Sequence, residues 1–278
     1  MNLLFIGDVV GESGCEFLKK HIYSIKNEYK IDLTVINGEN SAQGNGITPY
    51  SYQKLINMGA DVVTTGNHCF KRKESTDLYD TEDTLLRPAN YPEGVVGHGY
   101  TTLDLGYTSV AVVNLMGTAY MEPLDNPFKC IDDILQEIDT PNIFVDFHAE
   151  ATAEKKAMGQ YLARKVTAVL GTHTHVQTSD ETILSDHTAY ITDVGMTGPE
   201  LSVLGVESEL AIKKLQLHCP VTFVESTSPC FINGVIVEFN EKLGKATKIT
   251  GRSAGLDKAF NIAGAITEFG VQSAGQSQ

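Results

Sequence analysis

Hydrophobic positions along the chain follow two different periods. The unbroken apolar run at 3–7 (LLFIG) reads as a strand buried on both faces, and 33–37 (LTVIN) and 61–65 (DVVTT) read as a second and a third strand. Between the first two, Phe17, Leu18, Ile22 and Ile25 recur at helical spacing within 16–29. Thr48-Pro49 supplies an N-cap followed by proline in the first helical position, which predicts a helix through Leu55 that stops near Gly59. This βαβαβ rhythm predicts parallel strands with helices packed outside them.

The middle changes character. Segments 100–105 and 108–115 flank Gly106-Tyr107 and read as a hairpin. Helical patterns at 126–138 and 154–165 are each followed by an apolar run, at 142–147 (NIFVDF) and 166–170 (VTAVL). The last third predicts strands at 190–192, 221–224 and 231–239 and one helix near 207–215. Beyond Arg252 the composition turns to Ser, Ala, Gly and Gln, which predicts one domain over 1–252 and a loosely ordered tail over 253–278.

Composition narrows the classes. The chain has 278 residues with 42% hydrophobic and 20% charged, enough for a sizeable core. No apolar run approaches the roughly 18 residues of a membrane span, and the start lacks a basic n-region, so neither an anchor nor a signal peptide is expected. Five cysteines without a C-x-x-C pair argue against a disulfide framework and favour a reducing, cytoplasmic setting. A net charge of −14 excludes non-specific nucleic-acid coating as the main activity, and it leaves a homo-oligomer open.

Chemistry collects at the strand ends. Asp8 follows the first strand, Glu39-Asn40 the second and Asn67-His68 the third; His148 follows NIFVDF, and His173 and His175 follow TAVLG. In open α/β sheets ligands bind outside the carboxyl ends of the strands, where loops converge. Singly, each residue has an ordinary structural reading as an N-cap, a turn residue or a core histidine. Together, at five strand ends, they predict one polar site. Carboxylate, amide and imidazole without thiolate suit Mn²⁺ or Fe, with Zn²⁺ an alternative, and so many groups suit two ions better than one. Paired metals favour in-line displacement at phosphorus by a bridging hydroxide, and they would draw an anionic substrate to an acidic chain. Competing nucleotide-binding signatures are missing: G-x-G-x-x-G and G-x-x-x-x-G-K-[ST] do not occur. Cys69 beside His68 is expected to be a bystander.

Asp8, Gly66-Asn67-His68, His148 and Gly171-Thr172-His173-Thr174-His175 resemble, in order, the calcineurin-like metallophosphoesterases. The stretches INGENSAQGNGI (36–47), RPANYP (87–92), DFHAEAT (146–152), GTHTHVQT (171–178) and YITDVGMTGP (190–199) are similar to the bacterial YmdB-like branch. The usual D-x-H is here Asp8-Val9-Val10, the usual bridging aspartate is Glu39 with Asn40 beside it, and Cys69-Phe70 stand where the branch commonly has Thr-Trp. The resemblance implies an α/β sandwich of two mixed sheets flanked by helices. It implies one metal held by Asp8, Glu39, Asn40 and His175, and another held by Glu39, Asn67, His148 and His173. His68 would be the general acid. The implied substrates are small phosphodiesters such as 2′,3′-cyclic nucleotides. Two other readings stand beside it: a phosphomonoesterase on the same centre, and a regulatory RNA- or protein-binding module with structural metals.

Overall fold

Leu3 and Phe5 belong to one buried cluster and Leu4 and Ile6 to another, so the first strand is covered on both sides and its sequence shows no alternation. In the computed structural model, which describes residues 1–255, that strand is β1 (Asn2–Ile6). It is followed by β2 (Asp8–Val9), α1 (Gly11–Glu28), β3 (Leu33–Asn37), α2 (Pro49–Asn57), β4 (Val62–Thr64), α3 (Thr76–Thr81) and β5 (Leu85–Leu86). Next come β6 (Tyr100–Asp104), β7 (Ser109–Met116), α4 (Pro127–Leu135), β8 (Ile143–His148), α5 (Thr152–Leu162) and β9 (Ala168–Thr172). The remainder is β10 (Thr182–Leu184), β11 (Thr188–Ile191), β12 (Met196–Pro199), α6 (Ser208–Leu217), β13 (Cys230–Asn240) and β14 (Lys245–Gly255).

The strands form two mixed sheets. One has the order β2-β12-β13-β1-β3-β4-β5, with β14 on β13; the other runs β10-β11-β9-β8-β7-β6. Strands β1, β3, β4 and β5 are parallel, as are β7, β8, β9 and β11. The sheets pack through Phe5, Val35, Val62, Val112, Phe144 and Leu170, among others. Helices α1 and α2 cover the outer face of the first sheet through Leu18, Ile22 and Leu55, and α4 and α5 cover the second through Ile131, Met158 and Leu162. This is the expected α/β sandwich.

Local signals hold where they were strongest. Thr48 caps α2, accepting from the Ser51 amide, while Ser51 returns a bond to the Thr48 amide. The hairpin closes around Gly106-Tyr107, with Gly106 at φ +82, a conformation that only glycine adopts without strain. Three expectations change. Helix α1 starts at Gly11 rather than residue 16, because the distant Glu225 carboxylate accepts from both the amide and the hydroxyl of Ser13 in its first turn. Residues 221–224 are not a strand: Phe223 and Val224 are half exposed and meet no sheet. Strand β14 was not foreseen. A register shift opposite Glu238/Phe239 breaks its alternation, so Ala246 and Ile249, an odd three apart, both face the core. Apart from β14 as far as Gly255, the expected loose tail lies outside the described residues. Among the described residues no helix is long and apolar enough to cross a membrane.

Candidate metal centre

All eight predicted residues meet. Asp8, Glu39, Asn40, Asn67 and His68 descend from the ends of β1, β3 and β4 in one sheet; His148 ends β8, and His173 and His175 follow β9 in the other. The two carboxyl edges abut because polar side chains bridge the sheets below the site. Asn37 Nδ2 and Thr64 Oγ1, both on the first sheet, donate to Asp146 Oδ2 on the second at 3.1 and 2.6 Å. Gly66 has a positional reason: a Cβ there would lie 2.2 Å from the His148 ring.

The contacts crowd groups that could hold a cation. His148 Nε2 lies 3.1 Å from Glu39 Oε1, 2.9 Å from Asn67 Oδ1 and 3.0 Å from His173 Nδ1. One ring nitrogen carries at most one proton, so it cannot satisfy all three neighbours. Ligand atoms of Glu39, His148 and His173 all lie within 4.8 Å of one another. Beside them, Asn40 Nδ2 sits 3.3 Å from Asp8 Oδ1, 3.2 Å from Glu39 Oε1 and 3.3 Å from His175 Nε2, three acceptors for two N–H groups. Turning that amide over would add its oxygen to the same set. The buried Nδ1 atoms of His68 and His175 have no hydrogen-bond partner among the described residues. This oxygen-and-imidazole donor set fits hard or borderline divalent ions.

Burial and neighbouring charges compete throughout the centre. Burial raises the Asp8 carboxyl, only partly opposed by His175 and His148. It would raise Glu39 too, but the adjacent His148 and His68 together outweigh it and hold that carboxyl well below the usual range. Burial likewise works to lower His148, yet Glu39, with Asp8 and Asp146, lifts it to about 9. His173 falls to about 4 through burial and the His148 charge. Placing two carboxylates and three imidazoles together is costly without a counter-charge, and bound cations would supply one.

The His173–His175 turn is held from behind. Both histidines have positive φ, +102 and +67, which side chains other than glycine seldom adopt. The buried Lys155 ammonium donates to the Thr172 carbonyl and to Asp193 Oδ2, each at 2.6 Å. Asp193 in turn accepts from the amides of Thr174 and Gly195 at 3.0 and 2.8 Å. At the rim, Glu150 lies 3.0 Å from His173 Nε2. Sequence reasoning missed these supporting residues. It also missed Asn37 and Asp146, whose signal was a polar side chain inside a buried strand, in LTVIN and NIFVDF; Lys155, in a helix, and Glu150 and Asp193, in loops, carried no such signal. Cys69 is buried and donates to Tyr91 Oη at 3.4 Å, away from the cluster. A cleft of about 490 Å³ near Tyr91 shares no residue with the centre, and the Arg87 guanidinium lining it is committed to the carbonyls of Val96, Pro88 and Val95.

Residues 4–251 match the family model described as YmdB-like protein. The chain belongs to the YmdB-like family. It is 46% identical over 251 residues, 90% of this chain and 95% of the relative, to a Bacillus subtilis protein named 2′,3′-cyclic-nucleotide 2′-phosphodiesterase. The solved structure of a Mycoplasma pneumoniae protein described as a novel phosphatase superimposes with TM-score 0.88 and 32% identity, covering 92% of this chain and 93% of that one. The structure of a Thermus thermophilus protein described as hypothetical gives TM-score 0.87 and 39% identity, covering 92% and 99%. Each of these similarities spans about nine-tenths of the chain.

Proposed function

We propose that this chain is a metal-dependent phosphodiesterase that hydrolyses small phosphodiesters of the 2′,3′-cyclic nucleotide class. The observation that carries the reading is His148 Nε2 crowded within 3.1 Å by a carboxylate, an amide oxygen and a second imidazole. Asp8, Glu39, Asn40 and His175 would hold one divalent cation, and Glu39, Asn67, His148 and His173 a second, with Glu39 shared. Iron or manganese suits these donors best, and zinc is an alternative. Bound cations supply Lewis acidity, lowering the pKa of water and offsetting charge that develops on the phosphoryl oxygens.

His68 is the proton donor of the reading. Its amide is fixed by Glu39 Oε2 at 3.0 Å, and its Nδ1 lies 3.4 Å from Glu39 Oε1 without hydrogen-bond alignment. The side chain is 26% exposed, so a substrate can reach the ring. Water adds to phosphorus in line with the departing ribose oxygen: its oxygen forms the new P–O bond as it gives one proton to solvent, the P–O bond to the ribose breaks, and the His68 ring proton passes to the departing oxygen. The acidity of the chain, −14 overall, makes this binding depend on the cations at the centre.

The test is metal content per chain together with turnover of 2′,3′-cyclic AMP, bis(p-nitrophenyl) phosphate and p-nitrophenyl phosphate, in wild type and Glu39→Ala. The expected result is two ions in wild type, diester turnover well above monoester turnover, and loss of both metal and turnover in the variant. Monoester preference would convert the reading to a phosphomonoesterase. Absence of turnover after resupply of Mn²⁺ would refute hydrolysis and leave a binding module.

A further inference from the structure

Two residues of the matched stretches, Asp146 of DFHAEAT and Thr172 of GTHTHVQT, take no part in the chemistry above, yet both are buried directly behind His148. Thr172 Oγ1 donates to Asp146 Oδ1 at 2.7 Å and lies 2.9 Å from His148 Nδ1. Asp146 Oδ2 already accepts from Asn37 Nδ2 and Thr64 Oγ1. A hydroxyl has one proton, and here the carboxylate takes it, so toward His148 the threonine offers only a lone pair.

We propose that Asp146 and Thr172 are positioning residues that act through His148, keeping a proton on its Nδ1 and so leaving Nε2 bare toward Glu39, Asn67 and His173. A neutral imidazole has a single N–H; once Nδ1 holds it, Nε2 is the only nitrogen that can bind a cation, and any proton it carried in the empty centre leaves as the cation enters. The direction of the relay is set by Asp146, which accepts at both oxygens. Reversing one bond would reverse the rest: an amide nitrogen donating to Thr172 would turn the hydroxyl toward Nδ1 and move the imidazole proton to Nε2, closing the site. Partners of this kind, behind a ligating histidine, fix both tautomer and ring orientation. The inference rests on the reading that the centre binds cations.

The experiment is Mn²⁺ binding by calorimetry to the full-length wild type, Thr172→Val, Thr172→Ser and Asp146→Asn, with ¹⁵N chemical shifts of His148 in the zinc-loaded wild type. Thr172→Val, nearly isosteric, should weaken binding by about 10- to 100-fold. Thr172→Ser, which keeps the hydroxyl, should recover most of that loss, a rescue that a packing role for the side chain would not give. Asp146→Asn should lose affinity to a similar degree, and the shifts should show Nδ1 protonated and Nε2 as the ligand. Wild-type affinity in Thr172→Val, no rescue by serine, or a zinc bond through Nδ1 would overturn the proposal while leaving the cation reading intact. A wild type that binds no Mn²⁺ or Zn²⁺ would instead overturn the cation reading, and this inference with it.

Discussion

Replacing Lys155 by Met should cost more stability than any surface change on this protein. The lysine and its partner Asp193 are each 1% exposed, and the ammonium makes two bonds of 2.6 Å, to the Asp193 carboxylate and the Thr172 carbonyl. Methionine fills much the same volume, so a cavity contributes little, and what remains is a buried carboxylate without its counter-charge. Two amide donors, Thr174 and Gly195, still reach Asp193, which solvates the charge only in part. Breaking a buried pair from one side costs about 3–5 kcal/mol. For a domain of this size that corresponds to a fall in Tm of about 6–20 °C. Urea unfolding of the metal-free protein measures it directly, and a double-mutant cycle with Asp193→Asn isolates the pair. The double variant should lose clearly less than the sum of the singles, because neither charge is then stranded. A loss in Lys155→Met below about 1 kcal/mol, the scale of a surface pair, would refute the argument. The same variant should also weaken metal binding, since the strained turn bearing His173 and His175 is no longer held from behind.

Other outcomes follow from single contacts. Gly66→Ala would place a methyl group 2.2 Å from the His148 ring; the expected result is a folded protein by circular dichroism whose metal content falls below about one-tenth of wild type, and full metal loading would contradict the close approach. Asp180 is pushed upward by burial but held below the usual carboxylate range by donors on Thr192, Lys156 and Thr178. A depressed folded value stabilises above the unfolded one, so the deficit of Asp180→Asn should be full at pH 7 and shrink as pH falls below about 4; a deficit constant down to pH 2 would show that the charge is irrelevant. Burial pushes the thiols of Cys15 and Cys69 up to about 12, while Cys219 is exposed. A disulfide reagent at pH 8 should therefore label Cys219 rapidly in the native protein and the two buried thiols only after unfolding, and rapid labelling of Cys15 would argue against the packed core beneath α1.

Legibility differed between elements for physical reasons. Helix α2 was visible to within two residues because its cap is local: Thr48, Pro49 and Ser51 carry it within one turn. The start of α1 was not, because Glu225, more than two hundred positions away, accepts from the Ser13 amide in its first turn. The segment 221–224 has the residue types of a strand, but residue type supplies no pairing partner. Strand β14 was hidden by a bulge that defeats the period-two pattern on which strand recognition rests.

By itself the sequence determined which side chains stand at the strand ends, since each ligand-type residue lies within a few positions of an apolar run and short loops cannot carry it far. It thereby named Asp8, Glu39, Asn40, Asn67, His68, His148, His173 and His175 as one group. Tertiary structure alone decided that the ends of two separate sheets meet edge to edge, because that depends on bonds such as Asn37 to Asp146 between residues 109 positions apart. It alone decided which nitrogen of His148 faces the centre and which faces Thr172. A hydrogen bond is directional and short, and no one-dimensional pattern records where its partner will be.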